Sequence, residues 1–195
     1  MTNPAIPSDI GIIVLAAGAA RRFGTDKRQA RLGNGQTLLA ATLDSVPGAF
    51  TRRVLVLRPG DEALADAFAD EWQICLANNP EAGMANSLAS GIKLAQDWAG
   101  SLIALADMPY ITQQTFTTLQ SALGDHDIVI PTCQGKRGNP VGFRQAYFAE
   151  IGRLTGDRGA RSLLDSYASV CVEIETGDPG ILRDIDTPEG LAWKT

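Results

Sequence analysis

Residues Ile10 to Lys27 read IGIIVLAAGAARRFGTDK, an apolar run of strand length that leads into a loop containing glycines and basic residues. The continuous apolar side chains of Ile10–Leu15 are typical of a strand that is covered on both faces. Gly18 lets the peptide N–H groups of the loop approach phosphate oxygens, because no Cβ stands in the way. Arg22 and Lys27 supply positive charge for the same anion. The segment therefore predicts a strand followed by a polyphosphate-binding loop.

This loop differs from two common phosphate-binding motifs. A P-loop reads GxxxxGK[ST], whereas Gly18 and Gly24 are six positions apart and Lys27 is followed by Arg28. A dinucleotide-binding fingerprint needs G-x-G-x-x-G at the start of a helix, and the segment lacks that spacing too. The loop is therefore expected to belong to another class of phosphate-binding site.

Strand-like and helix-like patterns alternate along the rest of the chain. Short runs rich in Val, Ile and Leu predict further strands at Arg53–Leu57, Gln73–Leu76, Ser101–Ala106 and Asp127–Pro131. Helical spacing of apolar residues predicts helices over Leu38–Val46, Asp61–Glu71, Asn86–Trp98, Thr112–Leu123 and Ala160–Tyr167. This alternation predicts an α/β fold, with a mostly parallel central sheet and helices on both faces. Ligands of such sheets bind at the carboxyl ends of the strands.

Length and composition predict one domain over positions 1–195. Of the 195 residues 45% are hydrophobic, and a chain of this size buries roughly 70% of its unfolded surface. The net charge of -5 argues against a sequence-independent nucleic-acid binder, which needs surplus Lys and Arg. The three cysteines are far apart and form no CxxC, which favours a reducing compartment. With no apolar run near the length of a membrane span, we expect a cytoplasmic protein with no membrane or nucleic-acid partner.

Acidic residues near two predicted elements are candidate metal ligands. Asp107 follows the strand pattern Ser101–Ala106, and Mg²⁺ prefers one or two carboxylates together with substrate phosphates. Taken alone, an Asp-x-Pro sequence is more often a turn or a helix cap; the neighbouring phosphate loop favours the metal ligand. Asp184 and Asp186 of DIDTPEGL could complete the site, or they could be a solvated side chain and a helix cap. The sequence does not distinguish between these two aspartates.

Three glycine-containing segments are suited to close approach of a ligand. The segment NPEAGMANSL, residues 79–88, leads into a helix whose N-terminal N–H groups suit a phosphate or the edge of a base, although ordinary capping explains it equally well. The segment KRGNPVGF, residues 136–143, combines two cations with two glycines, and GDRGAR, residues 156–161, is similar. Each of these two could equally be a solvated turn.

Taken together and in order, the segments resemble those of a known family. The chain resembles the molybdenum cofactor cytidylyltransferases, a branch of the nucleotidyltransferase superfamily. The segments that carry the resemblance are LAAG with RFGTDK, NPEAGMANSLASGI, LADMP, GKRGNPVGF, LTGDRGARSLL and DIDTPEGL. The resemblance extends from Ile10 to Leu191. It implies a Rossmann-like nucleotidyltransferase fold and the Mg²⁺-dependent transfer of CMP from CTP to the phosphate of molybdopterin, with release of pyrophosphate. A molybdoenzyme that receives the product is a further implied partner.

The resemblance also assigns roles to individual residues. Catalysis is implied for Arg22, Lys27 and Asp107. Nucleotide binding is implied for Leu15, Ala16, Ala17, Gly18, Arg22, Gly24, Lys27, Asn79, Gly83, Ser87 and Asp107. Mg²⁺ binding is implied for Asp107 with Asp184 or Asp186. Binding of the molybdopterin acceptor is implied for Arg137, Gly138, Asn139, Pro140, Arg158 and Arg161.

The sequence departs from the family pattern near the loop. Position 20 is Ala where the family usually has Ser, which removes one hydroxyl. Arg28 and Arg31 lie in a segment where an apolar pair is commoner, so the sequence predicts additional positive charge near the site.

Other functions are compatible with the same segments. A guanylyltransferase that uses GTP would retain the chemistry, but AAG at residues 16–18 favours cytidine, because guanylyltransferases of the family tend to read AGG. A cytidylyltransferase acting on a sugar or polyol phosphate is a second alternative. A non-catalytic protein that delivers the cofactor is a third, and the acidic residues argue against it, because a buried acid near phosphates is costly unless a cation compensates it.

Overall fold

A computed structural model of the chain describes residues 9–18, 23–156 and 160–192, and at positions 161, 162, 189 and 192 it describes the backbone alone. Within these residues eight strands form one sheet: β1 Ile10–Leu15, β2 Arg53–Leu57, β3 Gln73–Leu76, β4 Gly100–Leu105, β5 Ile128–Cys133, β6 Lys136–Arg137, β7 Val141–Arg144 and β8 Cys171–Glu175. The strand order is β3-β2-β1-β4-β7-β5-β6, and β8 pairs with β5.

The predicted sheet is confirmed, and antiparallel strands are added to it. The strands β3, β2, β1 and β4 pair in parallel, as do β5 and β8. In contrast, β7 is antiparallel to β4 and β5, and β6 is antiparallel to β5. The β5–β6 turn consists of Gln134 and Gly135, both with positive φ, at 53° and 72°. Two such residues match the tight turn that joins antiparallel strands, which explains why the chain reverses here.

Six α-helices lie among the described residues: α1 Leu38–Asp44, α2 Glu62–Phe68, α3 Met84–Ile92, α4 Gln113–Asp125, α5 Phe148–Ile151 and α6 Arg161–Ser166. Side-chain caps begin two of them, since Thr37 accepts a hydrogen bond from Ala40 N and Thr112 accepts one from Thr115 N. The helical pattern predicted as far as Trp98 divides into α3 and a 3₁₀ turn, Lys93–Ala95. None of the described helices is long and apolar enough to cross a membrane.

Alternate residues of the central strands face two apolar layers. Ile12 and Val14 of β1 belong to the layer formed with α1 and α4, whereas Ile13 and Leu15 belong to the layer formed with α3 and α5. The sheet is therefore covered on both faces, as the continuous apolar strands predicted. Covering both faces leaves the ends of the strands as the place where polar groups can reach solvent.

The pairing of β1 with β4 brings two loops together. Leu15 lies opposite Leu105 at the carboxyl ends of these parallel strands, and Ala106 N donates a hydrogen bond to the Leu15 carbonyl at 3.1 Å. The loop that begins at Ala16 and the aspartate at position 107 therefore emerge side by side.

Candidate active site

A cleft of about 620 Å³ lies at the carboxyl ends of β1 and β4. Its walls are formed by the loop after β1, the turn that carries Lys27, the N-terminal part of α3, the end of β4 and the acidic segment after residue 183. The lining residues are Leu15, Ala16, Ala17, Gly18, Lys27, Arg28, Pro80, Glu81, Gly83, Met84, Ser87, Leu105, Ala106, Asp107, Asp184 and Asp186.

Lys27 joins the two acidic segments of this cleft. Its ammonium Nζ donates to Asp107 Oδ2 at 2.6 Å, to Asp186 Oδ1 at 2.9 Å and to the Ile185 carbonyl at 3.3 Å. The side chains of Lys27 and Asp107 are 16% and 18% exposed, and that of Asp186 is 48% exposed. Two carboxylates from distant parts of the sequence thus share one cation at the edge of the cleft.

Local backbone structure holds these three side chains in place. Lys27 begins a 3₁₀ turn, Lys27–Gln29, whose N-cap is Asp26. Asp107 follows β4, and its carbonyl accepts a hydrogen bond from Ile185 N at 2.9 Å. The Ile185 side chain is buried in a small apolar cluster with Leu32 and Leu38. This cluster anchors the acidic segment, so that the side chains at positions 184 and 186 reach the cleft.

Burial and neighbouring charges shift the pKa values of Lys27 and Asp107 in opposite directions. Burial is the largest influence on Lys27 and alone would lower its pKa, but the carboxylates of Asp107 and Asp186 outweigh it and raise the pKa. The ammonium therefore remains charged at neutral pH. Burial raises the pKa of Asp107, Lys27 opposes that rise, and the carboxylate of Asp184 adds to it. Further positive charge in the cleft would therefore stabilise the ionised form of the Asp107 carboxyl group.

The aspartates fit a hard divalent cation. Asp107 Oδ1 is a buried oxygen with no hydrogen-bond partner among the described residues, and buried polar atoms in proteins are normally paired. In the described part of the chain no three His, Cys, Asp or Glu side chains form a complete ligand group. Mg²⁺ and Mn²⁺ accept one or two carboxylates and complete their coordination with water and substrate phosphates. The residues that would hold such an ion are Asp107 and either Asp184 or Asp186.

The sequence predicts that Arg28 adds positive charge near the site, and the structure shows that this charge is paired. It is 4% exposed, and its guanidinium contacts the carboxylates of both Asp26 and Asp61. Burial alone would lower the pKa of Arg28, but these two partners outweigh it and raise the pKa. Its charge is therefore neutralised within the fold. Local sequence does not indicate the pair between Arg28 and Asp61, because the two residues are 33 positions apart.

The structure brings most of the predicted nucleotide-binding residues to the cleft. The loop residues 15–18, Lys27, Gly83, Ser87 and Asp107 all line it. Gly24 and Asn79 are not among the described lining residues. Arg22 and Ala20 fall outside the residues that the structure describes. Lining residues absent from the prediction are Arg28, Pro80, Glu81, Met84, Leu105 and Ala106; several of these adjoin predicted residues in sequence.

The start of α3 is fastened to the segment that precedes α6. Ala85 N donates to the Gly156 carbonyl at 3.0 Å, and Gly156 N donates to Asn86 Oδ1 at 3.4 Å. These bonds place Gly156 next to Ala85, at the end of α3 that lines the cleft.

The residues predicted to bind the acceptor lie mainly in the β6–β7 region. Arg137 is exposed and pairs with Glu173 at 2.7 Å, and Asn139 N donates to the Ile181 carbonyl at 3.0 Å. Among the described residues that line the cleft, none belongs to the segment 137–140. Arg158 and the side chain of Arg161 lie outside the described residues. The acceptor assignment therefore stays a prediction.

Comparisons with known proteins identify the family and the fold of this chain. Residues 12–170 match the MobA-like NTP transferase domain family. The purine catabolism protein PucB of Bacillus subtilis is 30% identical, over 94% of this chain and 94% of its own length. The crystal structure of Rv0371c from Mycobacterium tuberculosis superimposes with a TM-score of 0.78 at 27% identity, covering 93% of this chain and 94% of that one. A second structure of Rv0371c, in complex with manganese, has a TM-score of 0.71 at 26% identity and covers 86% of this chain and 87% of that one.

The extent of these matches establishes the family. The family match includes most of β1, the loop Ala16–Gly18 and β4, and PucB aligns over nearly the full length of both chains. The expected Rossmann-like nucleotidyltransferase fold is confirmed by the superposition on Rv0371c. The chain is therefore a nucleotidyltransferase that belongs to the MobA-like NTP transferase family.

Proposed function

We propose that this protein transfers CMP from CTP to the phosphate of a molybdopterin-type acceptor and releases pyrophosphate. The observation that carries the proposal is the meeting of Lys27, Asp107 and Asp186 in one cleft beside the loop Ala16–Gly18. A backbone loop, a cation and two carboxylates are the groups that a nucleoside triphosphate with its metal ion requires.

The chemistry requires charge neutralisation and positioning more than proton transfer. An acceptor phosphate attacks the α-phosphorus in line, and both groups are anionic. A phosphate monoester is already largely ionised at neutral pH, because its second pKa is about 6. No general base is therefore needed. In this proposal Lys27, and Arg22 outside the described residues, stabilise the charge that develops on the departing pyrophosphate.

A divalent ion fits the same chemistry. Bound by Asp107 and a second aspartate, Mg²⁺ would neutralise the α- and β-phosphate oxygens. The manganese complex of Rv0371c supports the use of a divalent metal by this chain. Lys27 donates to both carboxylates, and in this proposal it also donates to a phosphate of the nucleotide.

Cytidine is favoured by the residue at position 17. Ala17 lines the cleft and is 2% exposed, where the resemblance associates glycine with guanylyltransferases. GTP remains the alternative donor.

A molybdopterin-type acceptor is supported by the family and by the cations of two segments. Lys136 and Arg137 belong to one, and Arg158 and Arg161 belong to the other. Arginine suits a phosphate because its planar guanidinium donates two parallel hydrogen bonds. A sugar or polyol phosphate would require more hydroxyl partners than these segments offer. A molybdoenzyme would then receive the product.

The test is pyrophosphate release by the purified protein with Mg²⁺, measured with CTP and GTP and several acceptors. We expect release with CTP when molybdopterin or its molybdenum-loaded form is added, and little release without an acceptor. Pyrophosphate release with GTP and not with CTP would show that GTP is the nucleotide donor. Release with methylerythritol phosphate or a hexose 1-phosphate, and none with the pterin, would overturn the acceptor while leaving the nucleotidyltransferase chemistry in place.

A further inference from the structure

Arg28 is the most deeply buried charged side chain in the cleft wall, with 4% of its surface exposed. Its Nη1 donates to the Ala16 carbonyl at 3.0 Å. Its Nε and Nη2 donate to the two oxygens of Asp26 at 2.8 and 2.6 Å. Nη2 also donates to Asp61 Oδ1 at 2.8 Å, and Nη1 contacts Asp61 Oδ2. The planar fork of arginine is thus fully used within the protein.

These contacts connect three segments of the candidate active site. Ala16 begins the loop after β1, and Asp26 is the N-cap of the turn that carries Lys27. Asp61 lies between β2 and α2 and also accepts a hydrogen bond from Arg58 N at 2.9 Å. A single side chain therefore connects the loop after β1 and the lysine-bearing turn to the segment between β2 and α2.

The charges of this cluster compensate one another. Asp26 and Asp61 face Arg28 directly, and Arg58 lies 3.6 Å from Asp26 and 3.7 Å from Asp61. Two guanidinium groups are thus balanced by two carboxylates. A buried charge is tolerated when it is paired and hydrogen-bonded in this way. Since its donors are already used, Arg28 is poorly suited to bind a phosphate itself.

We propose that Arg28 is a positioning residue that fixes Lys27 and the Ala16 loop relative to each other before a nucleotide binds. This inference rests on the proposed binding of a nucleoside triphosphate in the same cleft. Groups that are already held in their bound geometry lose less entropy on binding, which strengthens affinity. Lys27 follows the cap residue Asp26 directly, so displacement of Asp26 would displace the ammonium.

The first experiment compares Arg28→Met with a matched control, Arg53→Met. The Arg53 side chain is also largely buried and donates to the Phe50 and Pro47 carbonyls, but it lies at the opposite ends of the strands, where β2 begins. Binding of CTP and GTP in the presence of Mg²⁺ is measured by isothermal titration calorimetry. We expect Arg28→Met to bind the preferred nucleotide at least about tenfold more weakly, and Arg53→Met to bind it as the unaltered protein does. Unchanged binding by a folded Arg28→Met variant would overturn the proposal.

A double-mutant cycle with Lys27→Ala separates positioning from general destabilisation. If Arg28 acts through Lys27, the tenfold loss should shrink to about twofold or less when Lys27 is already Ala, since coupled residues are not additive. A purely structural role predicts the same loss in both backgrounds, and that result would contradict the proposal. Lys27→Ala should itself affect CTP more than CMP, because CMP lacks the β- and γ-phosphates.

Asp26→Asn provides a second variant in case Arg28→Met does not fold. It retains the pair between Arg28 and Asp61 and weakens the contact with the lysine-bearing turn. Hydrogen exchange of the amides at residues 28–30 is measured without nucleotide; we expect faster exchange in Asp26→Asn than in Arg53→Met, with no change at β5. Equal exchange in the two variants would overturn the fastening role. If the unaltered protein binds neither nucleotide, the proposed function fails, whereas the exchange measurement still decides the role of Arg28.

Discussion

Asp107 has one carboxylate oxygen 2.6 Å from the Lys27 ammonium and another that is buried without a hydrogen-bond partner among the described residues. In an ordinary structural ion pair both oxygens would be satisfied, because an unpaired buried acceptor costs about 1–3 kcal/mol. An acceptor oxygen of this kind, at the edge of a cleft, is available to coordinate a metal ion. The charge of Asp107, rather than its hydrogen bonding to the fold, is therefore expected to matter for activity.

Replacing Asp107 by Asn tests this expectation. Asn has nearly the same volume but lacks the charge, so turnover should fall by at least ~10²-fold, the scale of a lost electrostatic contact to the transition state. Pyrophosphate release at saturating CTP is the measurement, and circular dichroism checks that the fold persists. Asp66→Asn, an exposed aspartate of α2, should retain full turnover. An Asp107→Asn variant with near-normal turnover would exclude Asp107 as the principal metal ligand.

At the scale of elements, α4 is held at its N-terminus by an acid from another part of the chain. Asp178 is buried and accepts hydrogen bonds from Thr112 N at 2.8 Å, Thr115 Oγ1 at 2.6 Å and Gly180 N at 2.8 Å. Burial is the largest influence and alone would raise its pKa, but the donated hydrogen bonds together outweigh it and lower the pKa. Asp178 thus joins α4 to the segment that leads to the aspartates of the cleft.

Asp178→Asn should destabilise the protein in a pH-dependent way. The carboxylate of Asp178 accepts four hydrogen bonds, three on Oδ2 and one on Oδ1. Asn replaces one of these oxygens by an NH2 group that must face a donor, which we expect to cost about 2 kcal/mol of unfolding free energy at pH 7. A lowered pKa in the folded state stabilises the fold above the ordinary value of 3.8, and this contribution is lost as the pH falls through the folded value. The difference from the unaltered protein should therefore shrink as the pH falls below about 4.

Urea unfolding at pH 7 and at several acidic pH values measures this difference. Asp125→Asn, an exposed aspartate at the other end of α4, serves as the control and should change stability little at any pH. A loss that stays constant as the pH falls would show that the charge of Asp178 does not stabilise the fold.

At the scale of the whole molecule, the site depends on close packing between segments that are distant in sequence. Gly138 lies against the 3₁₀ turn Pro179–Leu182, where an added Cβ would stand 2.3 Å from the Ile181 carbonyl oxygen. The neighbouring Asn139 N donates to this same carbonyl. The β6–β7 connection therefore supports the segment from which Asp184 and Asp186 extend.

Gly138→Ala should consequently destabilise the fold by about 1–3 kcal/mol, because the backbone must shift to accommodate the methyl group. Thermal unfolding measures the loss. Gly48→Ala is the matched control, since an added Cβ there meets no atom within 4 Å. If Gly138 served only to admit an acceptor, its substitution would leave the melting temperature unchanged and alter the KM for the acceptor alone.

The sequence by itself determined the alternation of strands and helices, the loop after Ile10–Leu15 and the family. These features depend on local apolar periodicity, on glycine positions and on short motifs, which are legible without knowing what the chain contacts. The strand β1 has the predicted bounds, and the structure places Lys27, Asp107, Asp184 and Asp186 around one cleft, while their roles there stay predictions.

Only the tertiary structure decided the pairing of buried charges and the antiparallel part of the sheet. The pair between Arg28 and Asp61 is not predictable from local sequence, and neither are the contacts of Asp178 with Thr112 and Thr115. Whether a charged side chain is solvated or neutralised depends on partners that the fold brings from tens of residues away. Local sequence patterns do not identify such partners, because many acidic residues elsewhere in the chain could pair with the same cation.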